Sequence, residues 1–152
     1  SEDGLRIERL GVPVVQLNTR GACHLDASMV AAALEDLPAE GLDLIVIENV
    51  GNLVCPAGFD LGEDLRVVVL SIPEGDDKPS KYPAIFKKAD ALLINKIDLA
   101  HHVRFQRERV HAVSRRLAPA VRIMELAAAT GEGVAAFGDY LAQAAHAKKE
   151  RR

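Results

Sequence analysis

Asn95, Lys96 and Asp98 stand as N-K-x-D directly after the apolar run Ala91–Ile94. A carboxylate three residues beyond the asparagine can accept two hydrogen bonds from the N1 and N2 donors of guanine, a pair adenine does not offer. A site built this way rejects the wrong base, because its buried carboxylate would be left unpaired. The Lys96 stem can lie along the base plane, and the Asn95 amide can brace neighbouring loops. A plain polar loop after a strand is the competing reading of the four letters alone.

Two further segments point to a bound nucleotide. Leu126 is followed by Ala127-Ala128-Ala129-Thr130-Gly131-Glu132-Gly133. GTP-binding proteins place a Ser-Ala pair at this point, with a backbone N–H near the guanine oxygen. Ala127 stands where the serine is expected and Ala128 is expected to supply the N–H, although T-G-E-G also reads as an ordinary helix start. Leu42–Ile47 runs into Glu48-Asn49-Val50-Gly51-Asn52, an acidic residue after a buried strand with glycine three positions on. That layout is a Walker B segment: Glu48 would hold Mg2+ directly or through water, and the Gly51 N–H would meet a γ-phosphate. A capped turn is the alternative.

Cys23 and His24 follow the first apolar run, and Cys55 follows the E-N-V-G-N segment. Thiolate and imidazole donors suit Zn2+, Ni2+ or copper. Three such ligands leave a four-coordinate site one short, to be filled by water, a carboxylate or a second subunit, with Asp26 as a partner behind the ligands. Two inert thiols beside a surface histidine remain the other reading. His101, His102, His111 and His146 read as solvated side chains.

These residues must be positioned by a framework, and the hydropathy pattern describes one. The 152 residues suit one domain with a real core. The net charge is −3, of which the run Lys148–Arg152 supplies +3, leaving about −6 on the body. That balance argues against a nucleic-acid binder working by bulk charge. No apolar run is long enough to span a membrane and the opening S-E-D-G-L-R, read as a polar turn, lacks a signal peptide's features, so a soluble cytoplasmic protein is expected. Two cysteines do not make a disulfide scaffold. Strands are expected at Val12–Leu17, Leu42–Ile47, Val67–Ile72, Ala91–Ile94 and Val121–Leu126. Helices are expected from Asp26, a candidate N-cap, to before Pro38; from Phe105 to Leu117; and after Gly133 into the basic tail. Apolar strands alternating with helices mean an α/β fold, a parallel sheet with helices on both faces. Ligands in such sheets sit at the carboxyl ends of the strands, where the motifs lie.

With those blocks in view, the chain resembles the hydrogenase nickel-incorporation GTPases, the HypB family. The resemblance rests on V-P-V-V-Q-L-N-T-R-G-A-C-H-L-D-A from Val12, I-E-N-V-G-N-L-V-C-P-A-G-F-D-L-G-E from Ile47, E-G-D-D-K-P-S-K-Y-P from Glu74, L-L-I-N-K-I-D-L from Leu92 and A-T-G-E-G from Ala129. It implies a P-loop GTPase-like fold of the SIMIBI class, with GTP-dependent dimerisation. It implies that Cys23, His24 and Cys55 hold Ni2+ or Zn2+, that Glu48 and Gly51 serve Mg2+ and the γ-phosphate, and that Asn95, Lys96, Asp98 and Ala128 read guanine. It further implies a metallochaperone that passes nickel to the large subunit of a NiFe hydrogenase, with the help of a small zinc-containing maturation protein. Hydrolysis of GTP is then expected to move the cysteine-bearing loops and release the metal.

The phosphate-cradling G-x-x-x-x-G-K-S/T is not found in these residues. The expectation is a single GTPase domain over residues 1–152, incomplete at its N-terminus, lacking the first strand and Walker A loop and inactive on its own. Leu42–Ile47 would then lack a neighbour and expose its ladder groups. Two alternatives stand beside the nickel GTPase. One is a non-catalytic metal-binding and dimerisation module; the other is a urease-type nickel GTPase, which the Cys23-His24 pair and L-V-C-P fit poorly. Lys78 and Lys81 fall in a candidate switch segment without assigned roles.

Overall fold

The computed structural model describes residues 2–19, 21–38 and 40–150. The chain separates into two compact units, one up to Glu63 and one from Asp64 onward. Arg151 and Arg152, part of the expected basic tail, lie outside the described residues.

The first unit is built from helices and ordered loops. Glu2–Glu8 form helix α1, with acidic residues in its first turn and Arg6 in its last, which suits the helix dipole. The polar turn expected at the opening is therefore a helix. Ala27–Asp36 form α2, begun by Asp26, whose carboxylate accepts a hydrogen bond from the Met29 amide at 2.9 Å. This is the cap expected from the sequence, and Val30 is the buried residue of the helix.

The two strands expected in this unit are not strands. Val12–Leu17 and Leu42–Ile47 carry no ladder assignment, and Leu42, Leu44, Ile45 and Val46 are exposed. A strand exists only when a neighbour takes up its backbone N–H and C=O groups. Among the described residues the one sheet contains three strands, all in the second unit.

In the second unit β1 (Val67–Ser71) leads through the short helices α3 (Lys78–Lys81) and α4 (Pro83–Lys87) to β2 (Ala91–Asn95). Helix α5 (Arg107–Leu117) then leads to β3 (Arg122–Glu125), and α6 (Val134–Lys149) follows. The strands are parallel in the order β1-β2-β3, with Val67 opposite Ala91 and Ala91 opposite Arg122. Asp90 sets this register. Its carboxylate accepts from the Arg66 amide at 2.7 Å, its amide donates to the Arg66 carbonyl and its carbonyl accepts from the Arg122 amide.

Ala91, Leu92 and Ile94 have no exposed surface and Leu93 is buried with them, so both faces of β2 are covered. Leu70, Ile72, Phe86 and Val110 complete this core. Each large apolar side chain so buried contributes about 1.5–3 kcal/mol. This is the expected α/β arrangement, with the carboxyl ends of β2 and β3 presenting the candidate nucleotide loops.

Candidate functional site

The end of β2 is shaped by Asn95. Its Oδ1 accepts from the Lys96 amide at 2.7 Å and from the Ala128 amide at 3.1 Å, joining the loop after β2 to the loop after β3. The bracing expected of Asn95 is therefore present. It also takes up the Ala128 N–H that the sequence assigned to the guanine oxygen.

Lys96 has φ 63°, and among the described residues it alone adopts positive φ without being glycine. That conformation costs a lysine about 1–2 kcal/mol, a local strain of the kind that gathers at binding loops. The strain is held by the Asn95 bond and by the Ile97 amide, which donates to the Leu126 carbonyl at 3.3 Å. It turns the chain into the short 3-10 helix Ile97–Leu99, leaving Lys96 and Asp98 exposed at the strand end. The result is a polar rim at the carboxyl end of β2.

The loop after β3 is supported from below. Glu125 lies 2.7 Å from Arg107 Nη1 and 3.2 Å from His111 Nε2, both on α5. His111, read from the sequence as solvated, is half-buried and part of this brace. A Cβ at Gly133 would overlap the Glu125 carbonyl oxygen and approach Leu126 Cβ to 2.9 Å, so only glycine lets α6 begin this close to the strand. Asp76, in the candidate switch segment, is anchored to the start of α5 by the Gln106 amide at 2.9 Å and by Arg109 at 3.1 Å. Lys78 stands 5.8 Å from the Tyr82 ring centre, and Lys81 lies 3.9 Å from Asp77.

The cysteine-bearing loops belong to the first unit. Cys23 is exposed and Cys55 half-buried. Cys23 Sγ lies 3.5 Å from His24 Nδ1. A hydrogen bond to Cys23, together with burial, pushes the Cys55 thiol above its ordinary value. The His24 ring stacks on Phe59 with centroids 3.7 Å apart and planes 15° from parallel. Thus Cys23 adjoins each of the other two expected ligands. Among the described residues, however, no group of three or more His, Cys, Asp or Glu side chains is arranged to hold a metal ion, so the donors stand as adjoining pairs. Asp26, expected behind the ligands, uses its carboxylate to cap α2 and to accept from Ser28 Oγ at 2.6 Å. Those bonds hold its acid below the ordinary carboxylate value.

What sequence reasoning passed over in E-N-V-G-N are its asparagines. Asn52 Nδ2 donates to the Cys23 carbonyl at 2.7 Å, and Asn52 Oδ1 accepts from the Val54 and Cys55 amides at 3.0 and 2.8 Å. Asn49 Oδ1 accepts from the Leu25 and Val50 amides at 3.0 and 2.8 Å. The available signal was the Asx-turn habit of asparagine placed two and three residues before Val54 and Cys55. Glu48 and Gly51, interleaved with these asparagines, are exposed.

Comparison with known proteins agrees with these blocks. Residues 1–125 match the family model described as CobW/HypB/UreG, nucleotide-binding domain. The chain is 52% identical over 142 residues to the hydrogenase maturation factor HypB of Azotobacter chroococcum, covering 92% of this chain and 45% of that protein. A solved structure of HypB from Helicobacter pylori in complex with nickel superposes with a TM-score of 0.92 at 37% identity, over 97% of this chain and 71% of that one. The hydrogenase maturation factor HypB of Archaeoglobus fulgidus gives 0.79 at 40% identity, over 91% and 78%. The chain spans about half the length of the curated relatives it matches.

Proposed function

Since this chain belongs to the CobW/HypB/UreG nucleotide-binding family, within its HypB group, we propose that it carries the guanine-reading and metal-holding parts of a GTP-dependent nickel metallochaperone. The observations that support the reading are the Cys23–His24 pair at 3.5 Å and the Asn52 side chain, which bonds the backbone of both Cys23 and Cys55 and so joins two loops distant in sequence. Two sulfurs and an imidazole fit a soft or borderline divalent cation, Ni2+ or Zn2+, as cargo. The nickel complex of the Helicobacter pylori relative supports nickel.

Asn95, Lys96 and Asp98 read the guanine of GTP: Asp98 takes the N1 and N2 donors, and Asn95 holds the two loops in place through Ala128. Glu48 would hold Mg2+, which would neutralise phosphate charge when bound, and the Gly51 amide would meet the γ-phosphate. GTP favours a homodimer, and hydrolysis shifts the E-N-V-G-N segment and loosens the metal. Nickel then passes to the large subunit of a NiFe hydrogenase with a zinc-containing maturation protein as helper, in the cytoplasm and without nucleic acid or membrane. No described helix is long and apolar enough to cross a membrane.

The 152 residues hold no G-x-x-x-x-G-K-S/T, so by themselves they have few phosphate contacts. The expected behaviour of residues 1–152 is nickel binding without strong GTP binding. Nickel titration followed by thiolate-to-nickel charge-transfer absorption tests the metal half. The band appears in the parent and is lost in Cys23→Ala and Cys55→Ala. A parent without the band overturns the metal reading. Calorimetry tests the other half, and micromolar GTP affinity for this chain would show that its phosphate contacts have been underestimated.

A further inference from the structure

His24 is bracketed by two side-chain amides. The residue before it, Cys23, gives its carbonyl to Asn52, and the residue after it, Leu25, gives its N–H to Asn49. The same Asn52 amide reaches the other cysteine through its oxygen, accepting from the Cys55 N–H at 2.8 Å. One planar group therefore touches the backbone of both cysteines at once. We propose that Asn52 is the positioning residue of the metal site. On this reading, which rests on the nickel function above, its amide sets the separation of the Cys23 and Cys55 sulfurs, with Asn49 holding the far side of His24.

The chemistry favours this role over a local turn. An Asx turn needs only the oxygen, which the Val54 and Cys55 amides already occupy. The nitrogen is free of that duty and is spent on the Cys23 carbonyl across the loops. Ligand-orienting partners behind a metal site cost roughly ten- to a hundredfold in metal affinity when removed. Asn52 also directly follows Gly51, the residue assigned to the γ-phosphate, so a peptide movement there reaches both sulfurs through one side chain.

Asn52→Asp separates the two halves of the amide. The carboxylate keeps both accepted bonds and so keeps the turn, but it cannot donate to the Cys23 carbonyl. The expected result in residues 1–152 is a nickel affinity lowered roughly tenfold or more, with displaced charge-transfer bands and an unchanged far-ultraviolet circular dichroism spectrum. Parent-like affinity and band positions in Asn52→Asp overturn the proposal. So does an affinity loss accompanied by loss of helical signal, which assigns Asn52 to folding.

A metal-free arm keeps this test apart from that of nickel binding. Asn52 ties the Cys23 loop to the half-buried Cys55; once that tie is lost Cys55 becomes more accessible, so iodoacetamide alkylates it faster in Asn52→Asp than in the parent. An unchanged rate counts against the proposal even if nickel turns out not to be the cargo. A parent without nickel absorption but with faster Cys55 alkylation in the variant overturns the nickel reading and leaves the loop-positioning role standing.

Discussion

Leu42–Ile47 and Ala91–Asn95 are near equals as sequences: both are short, apolar but for one residue each (Asp43 and Asn95) and followed at once by a charged residue. In the structure they have opposite fates. Ala91–Asn95 lies between two parallel neighbours and is buried up to Ile94, whereas Leu42–Ile47 pairs with no described strand and leaves Val46 77% exposed. Apolar content qualifies a segment to be a strand. A neighbour's hydrogen-bonding edge makes it one.

The contrast is most directly broken by truncation. Leu92→Ala should cost about 2–5 kcal/mol, because the side chain has no exposed surface to begin with. Val46→Ala should stay within about 0.5 kcal/mol, as an exposed side chain has little burial to lose. Urea denaturation of both variants measures the difference. A large loss for Val46→Ala would mean that the segment is packed in solution.

Glycine gives a second contrast between the units. Gly133→Ala forces a Cβ into the Glu125 carbonyl at φ +74°, for an expected loss of about 1–3 kcal/mol. Gly51→Ala meets nothing within 4 Å and should leave stability nearly unchanged. Thermal melts compare the two. A stable Gly51→Ala protein then isolates any nucleotide effect of that position.

Smaller effects sharpen the picture of each unit. In the first, iodoacetamide should modify exposed Cys23 before Cys55, and Cys55 should speed up in Cys23→Ala, where its thiol loses the hydrogen bond that raises its pKa. Mass spectrometry over a time course reads both rates. Equal rates in parent and variant would separate the two thiols.

In the second unit, burial and then the Asp90 charge push the Tyr140 phenol above its ordinary value of 10.0. The unfolded chain therefore loses this proton first as the pH rises. The stabilising contribution is whole below pH 10.0 and fades as the pH climbs through the folded value. The chain has two tyrosines and no tryptophan, so phenolate absorbance in Tyr82→Phe follows Tyr140 alone. An ordinary midpoint would remove the burial argument.

Local signals carried much of this molecule. Asp26 could be named as a cap because a short acceptor before an apolar helical period has few other uses. The helix over Arg107–Leu117 and the strand after Pro119 fell close to their expected bounds. The N-K-I-D letters pointed to a base-reading loop because hydrogen-bonding edge, spacing and strand end all appear within a few residues. His111 was misread because its partner Glu125 lies on another element. Asn52 was passed over for the same reason: its bond to the Cys23 carbonyl joins residues that sequence periodicity does not relate.

The sequence by itself determined the α/β pattern, the HypB-type motifs and the identities of the donors, since these depend on side-chain chemistry and short-range periodicity. Only the tertiary structure decided which apolar runs became strands, that the Ala128 amide serves Asn95, and that Asn52 bonds the backbone of both Cys23 and Cys55. Those outcomes depend on hydrogen-bond partners brought together across long stretches of chain, and a partner's position is a property of the folded backbone.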